Sequence, residues 1–438
     1  MKHVVCCFLS GVLILSCNLR YPKTSSADIS QLAEKYVRLA LDIGRYDSSF
    51  VDAYYGPDSL KASGLKKQTF PKDSFLLEVQ KLQDAFSQSI LETKNDTIRR
   101  RANWMKAQLT AFGRRIKIFS GEYASFDEES VELYGAAAPV IPESHYQALV
   151  TQLDGVLPGK GAISERFQLL ANRFVIPKIK LDTVFHVAIA ECRKRTLEHY
   201  SLPPTENFNL EFVTEKPWSG YNWYKGNYQS LIQINTDLQI FINRAIDVGC
   251  HESYPGHHVY NVLLEKNFYR DKNWVENSLY ALFSPQSLIA EGSANYGINL
   301  VFPDNNSKVA FSKEVLLPLT GLDTTGITSY FQALAIRGQL DFARNEVGRG
   351  IVNKTMDSIT IMRWLNNYGL MNEETAQKSI RFINVNRSYI INYNYGMELI
   401  KSYVEAKSND DSSSENRWET FGELLSNPIL PSDLIERK

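Results

Sequence analysis

Residues 250–258 read Cys-His-Glu-Ser-Tyr-Pro-Gly-His-His, placing three of the chain's seven histidines within eight residues and Glu252 directly after the first. Imidazoles beside a carboxylate are the groups that hold zinc and take a proton from water activated by it. In H-E-x-x-H the histidines lie at i and i+4, on one helix face. Here His257 follows His251 by six residues. Six residues turn a regular helix through about 240° and advance it ~9 Å. His258 returns to the face of His251, but about two turns away, ~10.5 Å. A shared ion therefore requires a deformed helix, and Pro255-Gly256 lies between the histidines. Proline removes a backbone donor and clashes with the preceding turn, and glycine tolerates unusual dihedrals.

A catalytic zinc takes three protein ligands and keeps one position open. His251 supplies one and His257 a second, with His258 as the competitor for that place. Glu291 is the candidate third ligand: it lies on a well-started helix among small residues, soon after the histidines. Glu252, beside His251, suits the general base that takes a proton from water on the metal. Asn295, one turn after Glu291, is placed to hydrogen-bond a ligand histidine. A structural metal site, or a surface loop with chance histidines, is the plainer reading of the cluster.

These residues carry a resemblance. His251 to His258 is similar to the H-E-x-x-P-G-H-H signature of a large bacterial family of unknown function, often exported as lipoproteins, which resembles the gluzincin metallopeptidases. The family's second signature, E-G-W-x-x-Y, matches Glu291-Gly292-Ser293-Ala294-Asn295-Tyr296 with Ser293 in place of Trp. That departure touches the pocket wall and not the ligand. Dipeptidyl peptidase III has a stretched H-E-x-x-G-H motif, a likeness that favours His257 over His258. A late Tyr-x-x-Gly of the family matches Tyr393-Asn394-Tyr395-Gly396. The resemblance spans residue 29 to the C-terminus and is strongest at the two metal motifs. It implies Zn2+ as cofactor and a peptide substrate, with Tyr393 stabilising the oxyanion; an aromatic core residue is the other reading of Tyr393. Arg387 is a candidate to bind a substrate carboxylate through both guanidinium arms, or a surface arginine.

The elements that must position these groups are mostly helical. Leu32, Tyr36, Leu39 and Leu41 recur at helical spacing, and residues 73–119 read as two amphipathic helices broken near Asn95-Asp96. Further helices are expected at 164–174 and 181–200. His145, His186 and His199 read as packed or surface histidines. The glycines of residues 157–161 lack the spacing of a phosphate loop. Residues 228–235 alternate as a strand that could pair with an extended peptide. Thr236 or Asp237 is expected to cap the helix entering His251, and Ser284-Pro285 to start the helix of Glu291. The expected fold is mainly α, a large helical metallopeptidase-like architecture with a small β element next to the metal helix. An N-terminal helical lobe is expected over 28–201 and a zinc-binding lobe over 202–438.

Composition sets the address. Net charge is −1, which gives no long-range field for nucleic acid. Arg99-Arg100-Arg101 reads as a solvated helix face. Val4 to Leu15 has signal-peptide length, and Leu15-Ser16-Cys17 resembles a bacterial lipobox. Cleavage after residue 16, lipidation of Cys17 and a tether over 17–27 would anchor an exported protein to a membrane, periplasmic or at the cell surface, without spanning it. Cys192 and Cys250 are expected as two buried free thiols. The function expected is a zinc-dependent peptidase. The alternatives are a lipoprotein that binds peptides or metal without turnover, and a hydrolase of another amide such as a cell-wall cross-link.

Overall fold

The computed structural model describes residues 26–66, 68–216, 218–408 and 414–435. The expected signal peptide, Cys17 and nearly all of the tether lie outside the described residues. The fold is mainly α. Helices α1 (Ser26–Gly44), α2 (Lys72–Glu92) and α3 (Asp96–Phe119) gather around a small core that includes Tyr36, Phe86 and Phe112. The break between α2 and α3 falls as expected, because Asn95 caps α3 by accepting from the amides of Thr97 and Ile98.

Helices α4 (Phe126–Tyr134), α5 (Glu143–Val156), α6 (Ile163–Asn172) and α7 (Leu181–Leu197) join a second, larger core. That core also takes in α8 (Ile242–Glu252), α9 (His257–Leu264) and α10 (Pro285–Val301). Helix α3 touches both cores, with Trp104 and Phe112 in the smaller and Ala111 and Ile118 in the larger. The C-terminal part adds α11 (Asn305–Phe311), α12 (Leu317–Thr320), α13 (Ile327–Leu340), α14 (Ala343–Val352), α15 (Ser358–Asn367), α16 (Glu373–Asn386) and α17 (Ile391–Lys407).

Two small sheets flank the helices. Strands β1 (Val51–Tyr54) and β5 (Leu279–Ala281) pair antiparallel. Strands β2 (Asn207–Val213), β3 (Gly220–Gly226) and β4 (Gln229–Asn235) form the other, in the order β2-β4-β3. The alternation at 228–235 is a strand, but β4 is the middle one. Both its edges are taken, by β2 in parallel and β3 antiparallel. The expectation that it pairs with a substrate is corrected: β3 is an edge strand of this sheet and β4 is not.

Three other expectations change. Helix α8 begins at Ile242, not at Thr236 or Asp237, because residues 236–241 turn back to bridge Phe241 to Val175. Cys192 and Cys250 form a disulfide, with Cα atoms 5.9 Å apart. Helix packing explains it: Gly249 brings α8 against Ile189 and Ala188 of α7 and sets the two cysteines opposite each other. Arg101 is buried rather than solvated, with both arms on buried Glu276 at 2.5 and 2.8 Å.

Candidate metal centre

Helix α8 is amphipathic and ends at Glu252, where the chain breaks. Ser253 has φ −116° and ψ −96°, and helical structure resumes at His257. The non-helical segment 253–256 is the deformation that the histidine spacing demands. Gly256 makes it possible. Its amide donates to the Cys250 carbonyl at 3.1 Å, and a Cβ there would lie 1.9 Å from the His251 carbonyl oxygen. The start of α9 thus folds directly onto the end of α8. The rings of His251 and His257 come to 4.6 Å between centroids, nearly perpendicular at 87°.

Helix α10 brings the third group. Gly292 faces Gly396 of α17, and a Cβ on Gly292 would lie 2.5 Å from that backbone. The small residues beside Glu291 therefore serve a close helix crossing. Glu291 Oε2 lies 3.3 Å from His251 Nε2 and 3.7 Å from His257 Nε2. Ligands bonded to one tetrahedral zinc at ~2.1 Å sit about 3.4 Å apart. His251, His257 and Glu291 are the group of potential ligand atoms found together among the described residues, all within 4.8 Å of one another.

The chemistry of the donors fits an ion. Glu291 Oε2 is buried and has no hydrogen-bond partner, a costly state unless a cation meets it. Glu291 Oε1 accepts the Tyr389 hydroxyl at 3.0 Å. Burial opposes the Glu291 charge, but the two histidines outweigh it and hold the carboxyl well below the usual range. His251 Nδ1 meets Asn295 Oδ1 at 2.9 Å, which leaves Nε2 to face the site. Asn295 is itself held by donating to the Tyr393 carbonyl at 2.8 Å. Replacing Asn295 with alanine is expected to weaken zinc about 10–100-fold, read by competition with a chelator of known affinity. Unchanged affinity would show that the ring needs no such partner.

His258 is decided by its surroundings. It is 0% exposed, with Nδ1 on Ser230 Oγ at 2.8 Å and Nε2 on Glu206 Oε2 at 2.9 Å. Both ring nitrogens are engaged away from the ligand group.

Glu252 is 6% exposed and points between α8 and β3. A Cβ on Gly220 would lie 3.0 Å from its Oε1. Burial is the main cause that pushes its carboxyl up to about 7, against the pull of His251. A carboxyl poised there is suited to exchange protons near neutral pH. Its backbone carbonyl accepts from Asn222 Nδ2 at 2.6 Å.

No family model matches the chain, and no curated protein matches it. Among solved structures, a candidate lipoprotein from Colwellia psychrerythraea aligns with a TM-score of 0.54 and 13% identity, over 84% of this chain and 68% of that one. This likeness is one of fold. Lower similarity is found to the M32 carboxypeptidase from Deinococcus radiodurans R1, at TM-score 0.43 and 12% identity over 94% of both chains. A candidate lipoprotein of unknown function from Shewanella oneidensis gives 0.45 and 13%, over 81% and 73%. Among the described residues no helix is long and apolar enough to cross a membrane.

Two expected residues are placed differently from each other. The Tyr393 ring packs near Tyr389 and Phe382, at 5.7 and 6.4 Å between centroids. Burial, and then the Glu291 charge, push its phenol well above the ordinary value and keep it a donor. Arg387 is committed elsewhere: both arms hold buried Glu129, at 2.6 and 2.9 Å, and the guanidinium lies over Tyr123. The expectation of a free fork for a substrate carboxylate is corrected, because an internal carboxylate already fills it. The sequence reading missed Tyr389, Asn222 and Glu206. Tyr389 had a local signal, lying four residues before Tyr393, the spacing that brings side chains together on a helix. The other two have none, since their partners lie 30 and 52 residues away.

Proposed function

We propose that this protein is a zinc-dependent peptidase, held outside the cytoplasm by a lipid on Cys17. The observation that carries the reading is the buried, unpartnered Glu291 Oε2 facing the Nε2 atoms of His251 and His257, with Glu252 beside them. Those three residues would hold the ion, and Asn295 orients His251. Zinc held there supplies a Lewis acid for a scissile carbonyl and makes water a stronger acid. Glu252 is the group that takes the proton from water and returns it to the leaving amine. Burial suits it to both directions of transfer near neutral pH. Tyr393 offers a protonated hydroxyl toward the oxygen that gains charge. Strand β3 presents an edge alongside Glu252 on which an extended chain can lie. The Cys192–Cys250 disulfide supports an oxidising compartment.

The test is a zinc-loaded Glu252→Gln variant. It is expected to keep one zinc per chain by elemental analysis and to cleave a peptide library about 10²–10⁴-fold more slowly than the parent. A protein that cannot be loaded with zinc, or a variant that cleaves as well as the parent, sinks the reading. Cleavage of cell-wall fragments alone would move the substrate class to cross-link amides.

A further inference from the structure

Asp52 lies at a bulge in β1. Val51 pairs with Ala281 and Ala53 with Tyr280, so Asp52 is left over between them. An extra residue bends a strand and re-aims a side chain, and bulges recur next to active sites for that reason. The Asp52 carboxylate reaches across to the other sheet and accepts the Tyr221 hydroxyl of β3. Tyr221 follows Gly220, the residue that packs on Glu252. Asp52 therefore stands at the border of the metal centre, where its charge acts on His257, Glu291 and Glu252. Among the described residues it forms no ion pair with a lysine or arginine, and it is half-buried.

Burial opposes the charge of the Asp52 carboxyl, a penalty that a cationic group beside it would offset. Beside Tyr221 runs a half-buried aromatic row, with Trp218 at 5.5 Å and Trp223 at 4.5 Å between ring centroids. Lys225 already sits over Trp223, 5.5 Å from its ring centroid. Such rings attract cations through their faces.

We propose that Asp52, re-aimed by the bulge and flanked by this aromatic row, receives a positively charged group of the substrate: a free α-ammonium or a basic side chain. The inference deepens the peptidase reading and rests on it. A bound cation would give Asp52 a partner of opposite charge, and Tyr221 would hold the carboxylate in place without neutralising it.

Binding decides the matter without turnover. The zinc-loaded Glu252→Gln protein is titrated calorimetrically with four versions of one short peptide. These combine a free or acetylated N-terminus with lysine or norleucine. Cation-bearing versions are expected to bind roughly tenfold to a hundredfold more tightly than the acetylated norleucine peptide, the range for a hydrogen bond to a charged group. Adding Asp52→Asn, which keeps the shape and can still accept from Tyr221, should erase that preference while zinc content and melting temperature stay unchanged. Loss on acetylation assigns the α-ammonium, and loss on norleucine assigns the side chain. Equal or undetectable binding of all four peptides, or a preference that survives Asp52→Asn, overturns the proposal. If the parent protein cleaves nothing while Asp52-dependent binding persists, the peptidase reading alone falls.

Discussion

Replacing Gly256 with alanine is expected to abolish zinc binding and to destabilise the fold by at least about 3 kcal/mol, the upper part of the overpacking range. The new Cβ would lie 1.9 Å from the His251 carbonyl oxygen and 2.5 Å from that of Cys250. Both obstacles are backbone, at the end of a helix whose Cys250 is tied to α7 by the disulfide. No side chain can rotate away to make room. Relief must come from moving α9 off α8, and that carries His257 away from His251 and Glu291. Zinc stoichiometry and the urea midpoint should therefore fall together. Gly155→Ala is the control: it lies inside α5 with nothing within 4 Å of an added Cβ, so the change should be neutral or stabilising by about 0.5–1 kcal/mol. Normal zinc content in the Gly256 variant would show that the break is held by something other than this close approach.

Loss of the Glu206 charge is expected to cost about 3–5 kcal/mol at neutral pH, the range for breaking a buried pair. Glu206 accepts from Tyr254 at 2.6 Å, Arg193 at 2.5 Å and His258 at 2.9 Å. It thereby ties the broken segment, through Tyr254, to the start of α9, through His258. Burial opposes its charge, but hydrogen bonds from His258, Tyr254 and Arg193 prevail and hold the carboxyl down at about 2, against an ordinary 4.5. A carboxyl with a lowered folded-state pKa contributes stability that is complete above its unfolded value. That contribution fades as pH falls from about 4.5 toward about 2. Urea midpoints of the parent and Glu206→Gln should thus differ most above pH 4.5 and converge in more acidic buffer. Arg193 is partly exposed, so the low end of the range is expected. Midpoints separated by the same amount at every pH would mean that the carboxylate charge is not what holds the segment.

Much of the site was legible because its logic is local. The six-residue spacing of His251 and His257 is incompatible with a regular helix, and Pro255-Gly256 marks where the helix must yield; α8 does end at Glu252 and α9 does begin at His257. Ser284-Pro285 starts α10, with proline at the first turn, and the small residues around Glu291 foretell a close crossing. Helical periodicity likewise carries the mainly α character, since amphipathic faces are written in residues three and four apart. Arg387 misled because a guanidinium near a site looks the same in sequence whether its carboxylate is a substrate's or Glu129.

What escaped the sequence depends on contacts between distant segments. His257 and His258 are chemically identical neighbours. Ser230 and Glu206 remove His258 from the competition, and nothing local marks either as its partner. The alternation of residues 229–235 shows a strand but not that β2 and β3 occupy both its edges, because strand order is set by long-range pairing. The disulfide needed α7 and α8 side by side. The bulge that turns Asp52 toward Tyr221 arises from pairing with β5, more than 200 residues away. Residue types and short spacings thus pointed to a group that could hold a metal and required a broken helix for it. The packing of separate helices and strands engaged His258 elsewhere, joined the cysteines and brought Asp52 to Tyr221.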